Sequence, residues 1–161
     1  LILYSKFEKK DYKGAIKDFD FAYKNSNDEY SVMHFDNKIT VKYIIKDYKS
    51  AIEDFDREIA SAKTEEIRDS FLWDKAQFLY NIALYDKSLE IYDELISRSD
   101  EDDVYLIKNR LYYERAQVYD KLHLTLLAIK DRFIADALDI EEDYKKPIPR
   151  PVLLIDDLQS F

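Results

Sequence analysis

Glycine occurs once in 161 residues, proline three times and cysteine not at all. Tight hairpins, left-handed backbone positions and phosphate-cradling loops all lean on glycine, so a turn-rich β sandwich and a glycine-rich nucleotide loop are excluded. A chain almost without helix breakers reads as helical from end to end. Without cysteine there is no disulfide, zinc knuckle or thiol nucleophile, and the redox compartment leaves no trace. Positive charge is also short: 25 Lys and Arg face 34 Asp and Glu, a net −9 that argues against nucleic acid or an anionic membrane as partner. No apolar run approaches the length of a bilayer span. The chain opens on Leu1-Ile2-Leu3-Tyr4 with neither Met nor a capping residue ahead, which reads as the start of a piece of something longer.

What is present is self-similarity. Ala15-Ile16-Lys17-Asp18-Phe19-Asp20 returns as Ala51-Ile52-Glu53-Asp54-Phe55-Asp56, each after an acid-aromatic-lysine step, Asp11-Tyr12-Lys13 and Asp47-Tyr48-Lys49. A third copy runs through Tyr85-Asp86-Lys87-Ser88-Leu89-Glu90-Ile91-Tyr92, and a shorter one is Ala128-Ile129-Lys130-Asp131. The small residue of each copy, Ala15, Ala51, Ser88 and Ala128, advances by 36, 37 and 40 residues. Upstream, Trp73-Asp74-Lys75-Ala76-Gln77 parallels Tyr113-Glu114-Arg115-Ala116-Gln117, again 40 residues apart.

Within a repeat the apolar residues follow a helical period: Leu72, Ala76, Leu79 and Ile82 make one stripe, and Leu89, Tyr92, Leu95 and Ile96 another. Ala83-Leu84-Tyr85 must turn the chain between them. The expected helix pairs are 1–9 with 12–25, 31–45 with 48–62, 66–82 with 86–98, and 102–121 with 124–142. Asp11 and Asp47 stand where second helices begin, as acceptors for orphan amides, and Ser99 with Asp102 reads as a capping box.

These residues resemble the tetratricopeptide repeat, a helix-turn-helix unit of about 34 residues with W-x2-L-G-x2-Y in its first helix and A-x3-F in its second. Ala15 with Phe19 and Ala51 with Phe55 match the second-helix pair, and Ser88 with Tyr92 matches it conservatively; Ala22 supplies a further small residue. Ala76 and Ala116 stand for the first-helix small residue, with Tyr119 at the next aromatic position. The steps exceed 34, Ile39 fills a small-residue position, and Arg132 replaces the aromatic of the fourth copy. The resemblance implies an all-α fold over 1–142, a right-handed α-solenoid of about four antiparallel helix pairs with the first incomplete. Residues 143–161 then form a proline-rich tail with an apolar end.

Nothing in the chain makes a catalytic constellation, so no enzymatic activity and no cofactor are expected. His34 and His123 fall in different repeats without a second nitrogen ligand, and read as solvent-facing or helix-end histidines. Asp100-Glu101-Asp102-Asp103 lacks the alternating spacing and glycine of a calcium loop, and acids at a helix start answer to the macrodipole, so no metal site is expected.

A tetratricopeptide-like array implies a concave groove lined by first helices. The groove-facing residues so implied are Thr40, Tyr43, Trp73, Gln77, Tyr80, Asn81, Arg110, Tyr113, Gln117 and Lys121. Trp73 with Gln77, and Tyr113 with Gln117, share a face at i,i+4; an amide beside a ring suits a peptide backbone, while the alternative is that the rings pack between repeats and the amides solvate the face. The Lys-Gly-Asn signature by which some members hold a C-terminal carboxylate is absent, since the matching sites read Lys75-Ala76-Gln77 and Arg115-Ala116-Gln117.

Lys145-Lys146-Pro147-Ile148-Pro149-Arg150-Pro151 excludes helix and leads into apolar Val152-Leu153-Leu154-Ile155. That segment is expected to cap the last helix pair, to enter a neighbour's groove or to begin another domain. The expected function is a protein-protein interaction module holding a partner peptide or helix. The alternatives are a structural element that self-associates through array ends and tail, and the regulatory arm of a larger protein.

Overall fold

The computed structural model describes residues 10–26, 30–99 and 108–142. Among them the chain forms seven helices and no strand: α1 (Tyr12–Asn25), α2 (Tyr30–Ile44), α3 (Tyr48–Ser61), α4 (Glu65–Asn81), α5 (Tyr85–Arg98), α6 (Lys108–Lys121) and α7 (Thr125–Glu142). The first expected helix, the Asp100–Asp103 run and the tail from 143 lie outside the described residues. The fold is all-α, with consecutive helices packed on one another: α1 on α2, α4 on α5, α5 on α6 and α6 on α7. The chain divides into two compact bodies, one reaching Glu53 and one starting at Asp54.

Among the described residues the three turns that join a first helix to its second are built the same way, and none uses glycine. Lys46, Ala83 and His123 take left-handed φ values of 61°, 61° and 60°. The amide three residues beyond each first helix bonds back five residues, Asp47 to Lys42 (2.8 Å), Leu84 to Leu79 (2.9 Å) and Leu124 to Tyr119 (2.9 Å). The left-handed residue's own amide bonds to Tyr43, Tyr80 or Asp120. This is the Schellman closure, which satisfies the last carbonyls of a helix and favours glycine at the left-handed site. Here Lys, Ala and His accept the strain, so the scarcity of glycine does not remove left-handed positions as the composition suggested.

The second helix starts where the turn ends. Ala15, Ala51, Ser88 and Ala128 each donate the amide that opens it, to Asp11, Asp47, Leu84 and Leu124. All four are fully buried. Asp11 caps α1 as expected, its carboxylate accepting from Gly14 N at 3.0 Å, in the space that a Cβ on Gly14 would take. Thr64 caps α4 by accepting from Ile67 N, a cap the sequence reading overlooked. Ser99 instead closes α5: its hydroxyl donates to the Ile96 carbonyl at 2.7 Å. Its expected partner Asp102 is outside the described residues.

The core follows the repeat. In the first body Ala15, Phe19 and Val41 pack together with Tyr12 and Ile16 against them. In the second, Phe55 meets Phe78 at 5.7 Å between ring centres, and Trp73, Ala76, Leu79, Tyr92, Leu95, Leu111 and Val118 are buried. Each large side chain so buried contributes about 1.5–3 kcal/mol. Ser88 stands where the other copies have alanine; its hydroxyl donates to the Ala76 carbonyl across the pair at 2.8 Å, so the extra oxygen is satisfied inside the core.

Candidate functional site

The expected groove residues separate once placed. Thr40 and Tyr43 are half-buried on α2, with the Tyr43 ring 5.8 Å from Tyr48. On α4, Tyr80 is half-buried edge-on to Tyr85 at 5.6 Å, and Asn81 ends the helix exposed. Trp73 is 1% exposed, so its ring is packed between repeats and presents no face to a ligand. Tyr113, at the matching place on α6, is 52% exposed. Gln117 is half-buried and Lys121 exposed, both in line with Tyr113 at i,i+4.

Three of the expected residues, Trp73, Gln77 and Arg110, converge on a carboxylate that was not singled out. Glu114 of α6 accepts from Trp73 Nε1, from Gln77 Nε2 (3.2 Å to each oxygen), from Tyr92 Oη (3.0 Å) and from Arg110 Nε (2.9 Å). The Arg110 guanidinium lies 5.4 Å over the Trp73 indole. Donors from α4, α5 and α6 thus saturate one largely buried carboxylate. Gln77's amide hydrogens are spent within the protein, and Trp73's N–H with them.

A second set of contacts repeats with the sequence. Asp20, Asp56 and Asp93 each lie five residues after the small residue of a second helix. Each pairs with the base that precedes the next first-helix marker: Lys38 (3.1 Å), Lys75 (2.5 Å) and Arg115 (2.7 Å). The signal was legible as an aspartate and a base recurring in register with the small residues.

Local chemistry differs at each rung. Lys38 is buried, with the Tyr23 and Phe35 rings 5.6 and 5.0 Å away. Burial of Asp20 opposes its charge, but hydrogen bonds and attraction from Lys24 and Lys38 hold its carboxyl below the usual aspartate value. Arg115 also grips buried Asp131 with two bonds, Nε to Oδ2 at 2.7 Å and Nη2 to Oδ1 at 3.0 Å. Burial works against the guanidinium, and Asp131 and then Asp93 more than offset it, raising its pKa. With Lys75 and Arg115 committed to acids, the sites that match a carboxylate clamp have no base to offer.

Asp69 on α4 is the contrasting acid. It is buried, and although Arg98 Nη1 lies 2.7 Å away, the approach is not that of an aligned hydrogen bond. Burial dominates over the attraction of Arg98 and Arg68, and the carboxyl is pushed up.

His123 sits exposed in the turn before α7, a helix-end histidine as expected. His34 differs from expectation: it is half-buried within α2, its ring 6.4 Å from Phe19 and its Nδ1 without a hydrogen-bond partner among the described residues. Among the described residues no three His, Asp or Glu side chains gather in a metal-binding arrangement, and no helix is long and apolar enough to cross a membrane. Comparison of the chain with models of known protein families, with curated proteins and with solved structures finds no match.

Proposed function

We propose that the chain is a tetratricopeptide-like, non-enzymatic interaction module that holds a peptide or helix of a partner protein against its first helices. The observation that carries this reading is the row on α6: an exposed ring at Tyr113, a half-buried amide at Gln117 and an exposed ammonium at Lys121. The helix beneath is fixed by buried Ala116 and by the saturated Glu114. A ring, an amide and a cation in line on a rigid helix cover apolar surface, pair with a peptide bond and attract an acid, at little cost in ordering. With Trp73 packed inside, Tyr113 takes over the aromatic role, and Tyr80 and Asn81 extend the surface along α4.

The test is a pull-down from lysate with quantitative mass spectrometry, comparing the parent chain with a Tyr113→Ala/Gln117→Ala variant. Both substitutions lie outside the buried core, so the variant is expected to melt with the parent. It should lose at least one protein that the parent retains at stoichiometric yield. Identical retained sets from two equally folded chains would overturn the reading.

A further inference from the structure

At three places on its second helix the fourth repeat turns apolar where the other three are not. Two residues before the small residue the repeats read Lys13, Lys49, Asp86 and then Leu126; one before, Gly14, Ser50, Lys87 and then Leu127; five after, Asp20, Asp56, Asp93 and then Phe133. Three columns that are glycine or polar become large and apolar together. Leu126, Ile129 and Phe133 follow at i, i+3 and i+7 along α7 and are 83%, 56% and 74% exposed. Such an uncovered stripe is the mark of a contact surface.

The preceding repeat shows what occupies this face. There Leu89, the counterpart of Ile129, packs against Ala116 and Tyr119 of α6. Asp93, the counterpart of Phe133, pairs with Arg115 of the same helix. Trp73, the counterpart of Tyr113, is covered by Arg110 and Glu114, again from α6. One helix therefore covers all three positions on the α4–α5 pair. The same three positions on the α6–α7 pair are exposed.

We propose that the outer face of the α6–α7 pair seats one amphipathic helix of a partner protein, placed as α6 is on the α4–α5 pair. Phe133 selects a helix with an apolar residue where α6 carries Arg115. A small residue followed three positions later by a ring on that helix would pack on Ile129, as the cluster holding Ala116 and Tyr119 packs on Leu89. A further repeat of this chain's own kind fits less well, because its base would meet the Phe133 ring at the place where Asp93 pairs with Arg115. The face thus continues the geometry of the array while rejecting its charge pattern. This proposal shares Tyr113 with the groove reading but does not rest on it; Phe133→Asp leaves Gln117 and Lys121 intact, so either can fail alone.

The probe is a fluorescein-labelled peptide of residues 108–121, side-chain-stapled on its outer face, in two forms: with Arg115, and with Arg115→Leu. Anisotropy titrations against the whole chain should show saturable binding of the leucine form and at least tenfold weaker binding of the arginine form. Phe133→Asp in the chain recreates the acid and should reverse that order. Phe133 is exposed, so the variant is expected to melt with the parent by circular dichroism, and Leu126→Glu serves as a second lesion that should weaken the leucine form. Failure of both peptides to bind, or an order unchanged by Phe133→Asp, would overturn the proposal. A mass that doubles with concentration in the parent but not in Phe133→Asp would assign the face to a second copy and also overturn it.

Discussion

Trp73 and Tyr113 hold the same place in consecutive repeats, three residues ahead of Ala76 and Ala116, yet one is sealed inside and the other half in water. Their own helices are alike. What differs is the neighbour: α6 lays Arg110 and Glu114 over Trp73, while Tyr113 has no following first helix among the described residues to cover it. In a stacked array the fate of a side chain is set by the next repeat as much as by its own, so equal repeat positions can be core in one copy and surface in another.

The largest expected effect tests that contrast directly. Trp73→Ala removes a buried ring and a donor to Glu114 and should cost about 3–5 kcal/mol in urea unfolding, whereas Tyr113→Ala should stay within about 0.5 kcal/mol. Equal losses at the two sites would break the comparison.

The same contrast shows why the fold was more legible than the site. Helix bounds follow from periodicity and spacing, and the expected 31–45, 48–62, 66–82 and 86–98 each lie within a residue or so of the structure. The buried alanines were legible because a small residue recurring in step has one physical use, close approach of two helices. The groove was less so. Trp73 and Tyr113 look alike in sequence, and burial depends on a neighbour that no local pattern names. Glu114 was hidden for a related reason, since its four donors come from three helices and from four residue types.

The next effect, of nearly the same size at its upper arm, compares two rungs of the acid–base series. Arg115→Met leaves buried Asp131 without its two hydrogen bonds and should cost about 3–5 kcal/mol. Lys75→Met leaves Asp56 in contact with solvent and should cost about 1 kcal/mol or less. Denaturant midpoints of the two variants measured side by side would show whether burial of the acid, rather than the presence of a pair, sets the cost.

The smallest effect concerns Asp20 and Asp69, two acids shifted in opposite directions from the ordinary 3.8. Asp20 has a lowered folded pKa. Its contribution is present above 3.8 and is lost as pH falls through the folded value, so Asp20→Asn should lower stability at neutral pH by up to about 1 kcal/mol and converge on the parent in acid below 3.8. Asp69 has a raised folded pKa. Its charge is a penalty at neutral pH, relieved as pH falls from the folded value toward 3.8, so the gain from Asp69→Asn should shrink over that higher interval. Thermal melts of both variants against the parent from pH 2.5 to 7 separate the two windows, and coincident windows would contradict the assignment.

The glycine-free turns have a consequence for where the chain can change length. From Ile39 to Ala51, from Ala76 to Ser88 and from Ala116 to Ala128 the interval is always 12 residues. From Ala15 to Ile39, from Ala51 to Ala76 and from Ser88 to Ala116 it is 24, 25 and 28. A Schellman closure admits one count of residues between the helices it joins, because its two backbone bonds fix both ends. The joint between one pair and the next carries no such lock. Insertions therefore collect between pairs, and the pair travels as a module of fixed gauge, which could be gained or lost whole while its corner stays unaltered.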